Sequence, residues 1–452
     1  MALVRPFKAV RYNPDKIEDM RRVVSPPYDI VSPEEQKALY DAHPYNIIRI
    51  ELNRRREDDT AEDNVYTRAA RHFRDWLSQG VLRQDPRPAF YLSETTYTDA
   101  EGNTRVRRGF FTLLKVEDFE AGVVLPHERT FTGHKEDRFR LTVATGANVS
   151  PIFALYPDDD NQVMEALTRA RQRAALNDFV DPMGLHQRLY LVDDPRARAE
   201  VERLMADKVI FIADGHHRYE TAINYRNHMR RLHPDAGPEA PFEWVMVYLC
   251  SMSDPGLTIF PCHRLLPRLD LFNARDFLSH ARPYFDYQEI PIEGDLDHAR
   301  KELKQRLSEA GRRGRCFGLV SAESNSFYVL TLKNGSVRDH DWTSLEGPLR
   351  DLDVEMLTTV VLEKILGLDN QWRDQVHTIQ YVSDMNQVID QVRTGRARVG
   401  FLLNPTRVEQ VKSVAEAGLI MPRKSTYFYP KVLTGLTINL VDPAMDLPLL
   451  AS

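Results

Sequence analysis

The densest run of chemically capable side chains is Ile212-Ala213-Asp214-Gly215-His216-His217-Arg218-Tyr219. The apolar stretch Val209 to Ala213 reads as a short buried strand, a glycine turns the chain, and a helix follows over about residues 217–233. The first turn of a helix presents unpaired N–H groups and a partial positive charge, which suit phosphate or carboxylate. Gly215 lets the backbone approach a ligand closely, and Arg218 adds a rigid fork of donors matched to phosphate oxygens. Asp214, at the strand end, is placed to hold a metal or orient a histidine. His216 and His217 are suited to donating to an anion or shuttling a proton near neutral pH. An ordinary capped turn would need none of this density of functional types directly after a buried strand. Zinc fits poorly, because adjacent helical residues point about 100° apart and no cysteine is near.

Three other segments carry similar chemistry. In Pro126-His127-Glu128-Arg129-Thr130 and the following His134-Lys135-Glu136-Asp137-Arg138, Glu128 suits a general base or magnesium ligand, and Lys135 or Arg138 suits phosphate. A solvated charged loop is the alternative. In Ser25-Pro26-Pro27-Tyr28-Asp29, Tyr28 and Asp29 are candidates to line a pocket; Ser32, Pro33 and Glu35 then form a capping box that is purely structural. In Pro422 to Lys431, an extended segment would place Lys424, Thr426 and Phe428 on one face and Ser425, Tyr427 and Tyr429 on the other. A basic, hydroxyl-rich strand suits phosphate, and an edge strand guarded by lysines is the alternative.

The elements that must hold these segments alternate between strand and helix. Asn46 to Leu52 reads as a strand, followed by a helix capped at Thr60 with Val65, Ala69, Phe73, Trp76 and Leu77 on one face and Gly80 at its end. Ala89–Tyr97 and Arg107–Val116 read as paired strands. Phe327 to Lys333, Asn334-Gly335 and Ser336 to Arg338 read as a hairpin, since Asn-Gly suits a type I′ turn. Asn404-Pro405 opens a helix with Val408, Val411 and Val414 inward and Gly418 past its end. The expected fold class is α+β, with mixed sheets and flanking helices.

With 452 residues the chain exceeds the roughly 250–300 residues at which single cores stop growing. We expect a main α+β domain over 1–270, a small helix-and-hairpin module over 271–345, and a C-terminal α+β segment over 346–452 that returns a site strand. The net charge is −6 with both signs interspersed, so nucleic acid is not an expected partner. Three scattered cysteines argue for a reducing compartment and buried thiols. No apolar run approaches the length of a membrane span, and the first residues do not read as a signal peptide, so a cytoplasmic protein is expected.

Taken in order, Arg5-Pro6-Phe7, Ser25-Pro26-Pro27-Tyr28-Asp29, His127-Glu128-Arg129-Thr130, Ala213 to Tyr219 and Lys424-Ser425-Thr426-Tyr427-Phe428-Tyr429-Pro430-Lys431 resemble the domain-of-unknown-function 1015 family. Asp214-Gly215-His216-His217-Arg218 is also similar to the turn of free-serine kinases, members of the ParB/sulfiredoxin-like superfamily. That resemblance implies a ParB/sulfiredoxin-like core in which Gly215 and Arg218 meet nucleotide phosphates, with His216 and His217 beside them. The chain departs from ParB, where an acidic residue typically follows the glycine, and it shows no helix-turn-helix. The expectation is therefore a nucleotide-dependent kinase of a small hydroxylated metabolite, serine being one candidate, with ATP or ADP and Mg2+ as cofactors. Glu128 would take the hydroxyl proton. Asp214, His216 and His217 would complete the catalytic set, and Asp214 or Glu128 would hold magnesium. Gly215, Arg218, Lys135, Arg138, Lys424, Ser425, Thr426 and Lys431 would bind phosphate or nucleotide, and Tyr28, Asp29 and His127 the substrate. A phosphatase and a non-catalytic nucleotide sensor are the alternatives.

Overall fold

A computed structural model describes residues 2–99, 102–128, 132–269, 272–336, 347–373, 375 and 378–444, without the side chains of 132–135, 370 and 371. It is a mixed α+β chain in two compact units. The first comprises Met1–Pro126, Thr130–Thr258 and Pro430–Ser452; the second comprises His127–Arg129 and Ile259–Tyr429.

The first unit is built on a nine-stranded sheet. Its order is Val124–Leu125, Ile210–Asp214, Ile152–Tyr156, Trp244–Ser251, Thr104–Lys115, Phe90–Thr98, His186–Val192 and Asn177–Val180, with Val4–Arg5 pairing Thr104–Lys115 off that path. Most pairs are antiparallel, but Ile210–Asp214 runs parallel to Val124–Leu125, and Trp244–Ser251 parallel to Ile152–Tyr156. Every residue of Trp244–Ser251 is buried, the signature of a strand covered on both faces. On one face Ile152, Ala154, Ile210, Ile212, Val245 and Val247 form a core with Val163 and Leu167 of the Gln162–Ala170 helix and Val201 and Met205 of Pro195–Met205. A truncation such as Phe211→Ala in this sheet would cost about 3–5 kcal/mol.

The second unit carries a six-stranded antiparallel sheet in the order Phe285–Pro291, Ser326–Leu332, Cys316–Ser321, Val399–Leu402, His263–Leu266 and Gln380–Val382. Leu303 and Leu307 of the Leu296–Arg313 helix and Val388 and Val392 of Met385–Arg393 pack with Leu265, Val329 and Leu402 of the sheet.

Four local expectations need correction. Residues 46–52 are not a strand: Asn46 accepts from Ile48 N at 3.0 Å and starts the short Ile48–Glu51 helix, so the apolar run is a buried helical turn. The next helix is Val65–Ser78, capped by Asn64, whose side chain takes the N–H groups of Tyr66 and Thr67; Thr60 instead caps the preceding turn. Asn334-Gly335 closes no hairpin among the described residues. Ser326–Leu332 has Phe285–Pro291 on one edge and Cys316–Ser321 on the other, so both its edges are taken by other strands; Val337 and Arg338 of the expected return arm lie outside the described residues. Finally, strand alternation does not reach Lys424, which sits at φ 55° in the left-handed region; the strand is only Tyr427–Tyr429. The Ser32–Glu35 capping box with Pro33 at the first helical position is present, as is the Val408–Glu416 helix with Val411 and Val414 buried.

Candidate functional site

The Ile210–Asp214 strand ends at a register shift, where Asp214 falls opposite Phe153, and Gly215 turns the chain at φ 92° into the 17-residue helix His216–Leu232. No side-chain hydrogen bond caps this helix at Gly215, and its first turn holds no acidic residue to offset the dipole. Gly215 is required twice. Its φ lies in the left-handed region, and a Cβ there would stand 2.7 Å from Nε and 2.9 Å from Cζ of Arg218, whose guanidinium folds back over the turn.

Arg218 and Lys431 are the cations of this turn, with side chains only 10% and 9% exposed. Lys431 Nζ donates to Asp214 Oδ2 at 3.0 Å. Arg218 Nη2 lies 3.8 Å from Asp214 Oδ1, and Nη1 donates to the Pro151 carbonyl. Arg218 Nε is buried and, among the described residues, has no hydrogen-bond partner. His216 and His217 occupy the first two helical positions, half-buried.

Beside the turn lies a second charged layer of the same unit. Glu51, fully buried, accepts from Arg138 Nη1 at 3.2 Å and from Ser150 Oγ at 2.9 Å. Burial pushes the Glu51 carboxyl above its ordinary value, opposed chiefly by Arg138 and less by the Ser150 hydrogen bond and by Arg218. Arg138 also donates to the Glu51 carbonyl and to Asp137, and stacks over the Tyr28 ring at 4.0 Å. Burial pushes the Tyr28 phenol up, against the pull of Arg138 and Arg218. Glu51, Arg138, Ser150, Arg218 and Thr221 share a narrow cavity of about 40 Å³. The first unit thus brings Tyr28, Arg138, Asp214, Gly215, Arg218 and Lys431 into one network. Arg138, expected at phosphate, spends its donors on Glu51 and Asp137; burying that guanidinium requires them. Asp29 is exposed beside Tyr28.

The remaining expected residues gather in the second unit. Glu128 accepts from the backbone N–H groups of Lys424 (3.2 Å), Ser425 (3.0 Å) and Thr426 (3.4 Å) and from the Thr426 hydroxyl (3.3 Å). The left-handed backbone at Lys424 is what lets these successive amides converge on one carboxylate. His127 is fully buried, with Nε2 at 3.0 Å from Thr426 Oγ1 and its ring edge-on to Phe428. The Ser425 hydroxyl donates to the Pro422 carbonyl. His127 and Ser425, expected at substrate and phosphate, therefore have packing partners of their own. Lys424 is exposed. The side chain of Lys135 lies outside the described residues.

The donor set does not fit magnesium. Among the described residues no group of three or more His, Cys, Asp or Glu side chains is placed to hold a metal ion. Asp214 is engaged by two cations and Glu128 by three amides, so neither carboxylate offers the open oxygens such an ion takes.

Residues 4–355 match the family model described as "Protein of unknown function (DUF1015)". The chain belongs to that family. A search of the curated proteins finds no significant match to this DUF1015 chain. Among solved structures it is similar to a conserved hypothetical protein from Pyrococcus furiosus (11% identity, TM-score 0.34, covering 73% of this chain and 95% of that one). It is also similar to a free serine kinase in complex with AMP (11%, 0.33, 72% and 92%) and to SbnI with a C-terminal truncation from Staphylococcus aureus (10%, 0.35, 74% and 90%).

Sequence reading missed Glu51 and Ser150. Glu51 carried one signal, an acid inside the apolar run Ile47 to Leu52, which marks a buried carboxylate in search of a cation; Ser150 carried none.

Proposed function

We propose that this protein is a nucleotide-dependent phosphotransferase whose first unit has a ParB/sulfiredoxin-like core and binds phosphate at the Asp214–Arg218 turn. The observation that carries the proposal is the pairing of an uncapped N-terminus of a 17-residue helix with two cations about nine-tenths buried, Arg218 and Lys431. A cation in the first turn of a helix opposes the dipole, and burial adds a desolvation cost. Asp214 offsets part of this; an anionic ligand offsets the rest. The proposal assigns the phosphate to the first-turn amides after Gly215, to Arg218 and to Lys431, with His216 and His217 flanking it as proton donors. It stands on the first unit alone and routes no step through a metal. The acceptor is a small hydroxylated metabolite, and serine is the one to try first because of the Asp-Gly-His-His-Arg turn. A cytoplasmic setting accompanies the proposal, in keeping with three buried, unbridged cysteines.

Calorimetric titration with AMP, ADP and ATP tests it. Arg218→Lys keeps the charge but loses the two-pronged geometry, and should weaken binding by about 1.5–3 kcal/mol. Isotope exchange between labelled nucleotide and added serine then separates transfer from binding alone. Binding without exchange under any acceptor would make the protein a sensor. Release of phosphate to water would make it a phosphatase. Unchanged affinity in Arg218→Lys would refute the phosphate turn.

A further inference from the structure

A further buried cation, Arg107 on the Thr104–Lys115 strand, lies in the same unit as the turn and is 1% exposed. Its guanidinium stands 4.9 Å from the centre of the Tyr248 ring and 5.1 Å from that of Phe153. Those two rings meet edge to face, with centroids 5.4 Å apart. Gly109 makes the room, since a Cβ there would stand 2.3 Å from Cζ and 2.4 Å from the hydroxyl of Tyr248. Cross-strand partners share a face of a sheet, and the register sets Tyr248 beside Phe153 and Phe153 beside Asp214. Arg107 therefore lies over the row of side chains that ends in Asp214.

Among the described residues no carboxylate forms an ion pair with Arg107. Asp254 is near enough to feel its charge, but its oxygens accept from the N–H groups of Gly256 and Arg108 at 2.9 and 3.3 Å. Arg107 Nε is buried and, among the described residues, has no hydrogen-bond partner. Nη1 donates to the Pro430 carbonyl. Two aromatic faces and one carbonyl dipole compensate a buried charge only in part. An apolar side chain of similar length would fill this space at less cost, so the guanidinium is explained by what it holds.

It holds the residue before Lys431. The Pro430 ring sets φ there, and the bond from Arg107 sets the plane of the peptide that leads into Lys431. Further along, Thr434 exchanges backbone hydrogen bonds with Ser25 at 2.9 and 3.1 Å. Lys431 is thus set between two anchored points, and its Nζ meets Asp214 Oδ2 at 3.0 Å. A lysine stem is flexible and loses much rotamer freedom when its head is held, so a fixed backbone matters most at such a residue.

We propose that Arg107 is a positioning residue for the phosphate turn. Through the Pro430 carbonyl it sets Lys431 within reach of Asp214 and of a phosphate, and it meets neither itself. The phosphate part of this role rests on the function proposed above; the hold on Lys431 does not.

The coupling between Asp214 and Lys431 reads the position of Lys431 without any ligand. It comes from urea unfolding of the full chain, of Asp214→Asn, of Lys431→Met and of the double variant. In an Arg107→Met background this coupling should fall by about half or more. An arginine that only fills space would lower the stability of every chain alike and leave the coupling intact. Because Arg107 is buried, Pro430→Gly supplies a second variant, which leaves the guanidinium and the sheet in place and frees the backbone before Lys431. It should lower the coupling in the same direction. Calorimetry with ADP adds the ligand: Arg107→Met should weaken binding about tenfold, and by less than about twofold once Lys431→Met is present. Coupling unchanged in either variant would overturn the proposal, as would a tenfold loss that persists without Lys431. No binding of ADP by the unaltered chain would refute the phosphate turn instead, and the coupling alone would then decide the role of Arg107.

Discussion

Gly215→Ala tests whether the turn is built as described, because two separable costs meet at one atom. The backbone cost is that of placing an L-residue at φ 92°, about 1–3 kcal/mol. The steric cost is that the new Cβ, 2.7 Å from Arg218 Nε, must push the guanidinium off the turn. That displacement forfeits the bond to the Pro151 carbonyl and loosens Asp214, a charge-assisted set worth about 1.5–3 kcal/mol. The single variant should therefore lose roughly 2.5–6 kcal/mol in urea unfolding of the first unit. In an Arg218→Met background the guanidinium is already gone, so adding Gly215→Ala should cost only the backbone part. The cycle should show an interaction of about 1.5–3 kcal/mol, well beyond the 0.3–0.5 kcal/mol within which independent sites add. Additivity within that window would mean that Arg218 does not lie over Gly215, and the geometry on which the proposed phosphate site rests would fall with it.

Three further outcomes follow from the charged layers. Lys431→Met should destabilise by about 2–4 kcal/mol by removing one of the two cations that face the half-buried Asp214, and Asp214→Asn in the same chain should recover part of the loss, as read from denaturation midpoints. Burial holds the Asp353 carboxyl up at about 7, with the Cys316 N–H and Asn404 only partly offsetting it. A raised folded value means stability is full below the unfolded value and falls as pH rises through about 7, so Asp353→Asn should flatten the stability profile between pH 4 and pH 7. Glu128→Ala should speed hydrogen exchange at the amides of Lys424, Ser425 and Thr426 and cost about 1–3 kcal/mol, whereas Glu128→Gln keeps an acceptor and should cost less.

What the sequence showed of this site depended on how local the determinants were. The strand, the glycine turn and the helix after Asp214 are written in consecutive residues, and the structure has them within a residue or two. The capping box at Ser32 is equally local. The paired strands Phe90–Thr98 and Thr104–Lys115 were legible because apolar β-forming runs flank a turn. The misread parts are those in which distant partners decide. The apolar run at Ile47 to Leu52 has the composition of a strand, but Asn46 turns it into a short helix, and Glu51 within it is buried against Arg138, 87 residues on. Asn334-Gly335 has hairpin chemistry, but the strand before it finds both its neighbours elsewhere in the chain. The nine-residue helix Leu357–Ile365, whose backbone hydrogen bonds span five residues rather than four, has no sequence signature, since Leu, Thr and Val there fit a strand as well as a helix.

The same distinction between local and distant determinants bears on chemistry. Types and spacing singled out Asp214, Arg218 and Lys431, but not that they engage one another. Asp214 is at once the counter-charge that lets Lys431 be buried and the competitor that any anionic ligand must meet. A phosphate at the first turn would draw Arg218 and Lys431 partly away from Asp214, so its net gain is the difference between two charge-assisted arrangements rather than the sum of new contacts. On the proposed reading, the charge balance with Asp214 would hold the affinity for phosphate at this turn down, and a weakly held ligand would be released readily.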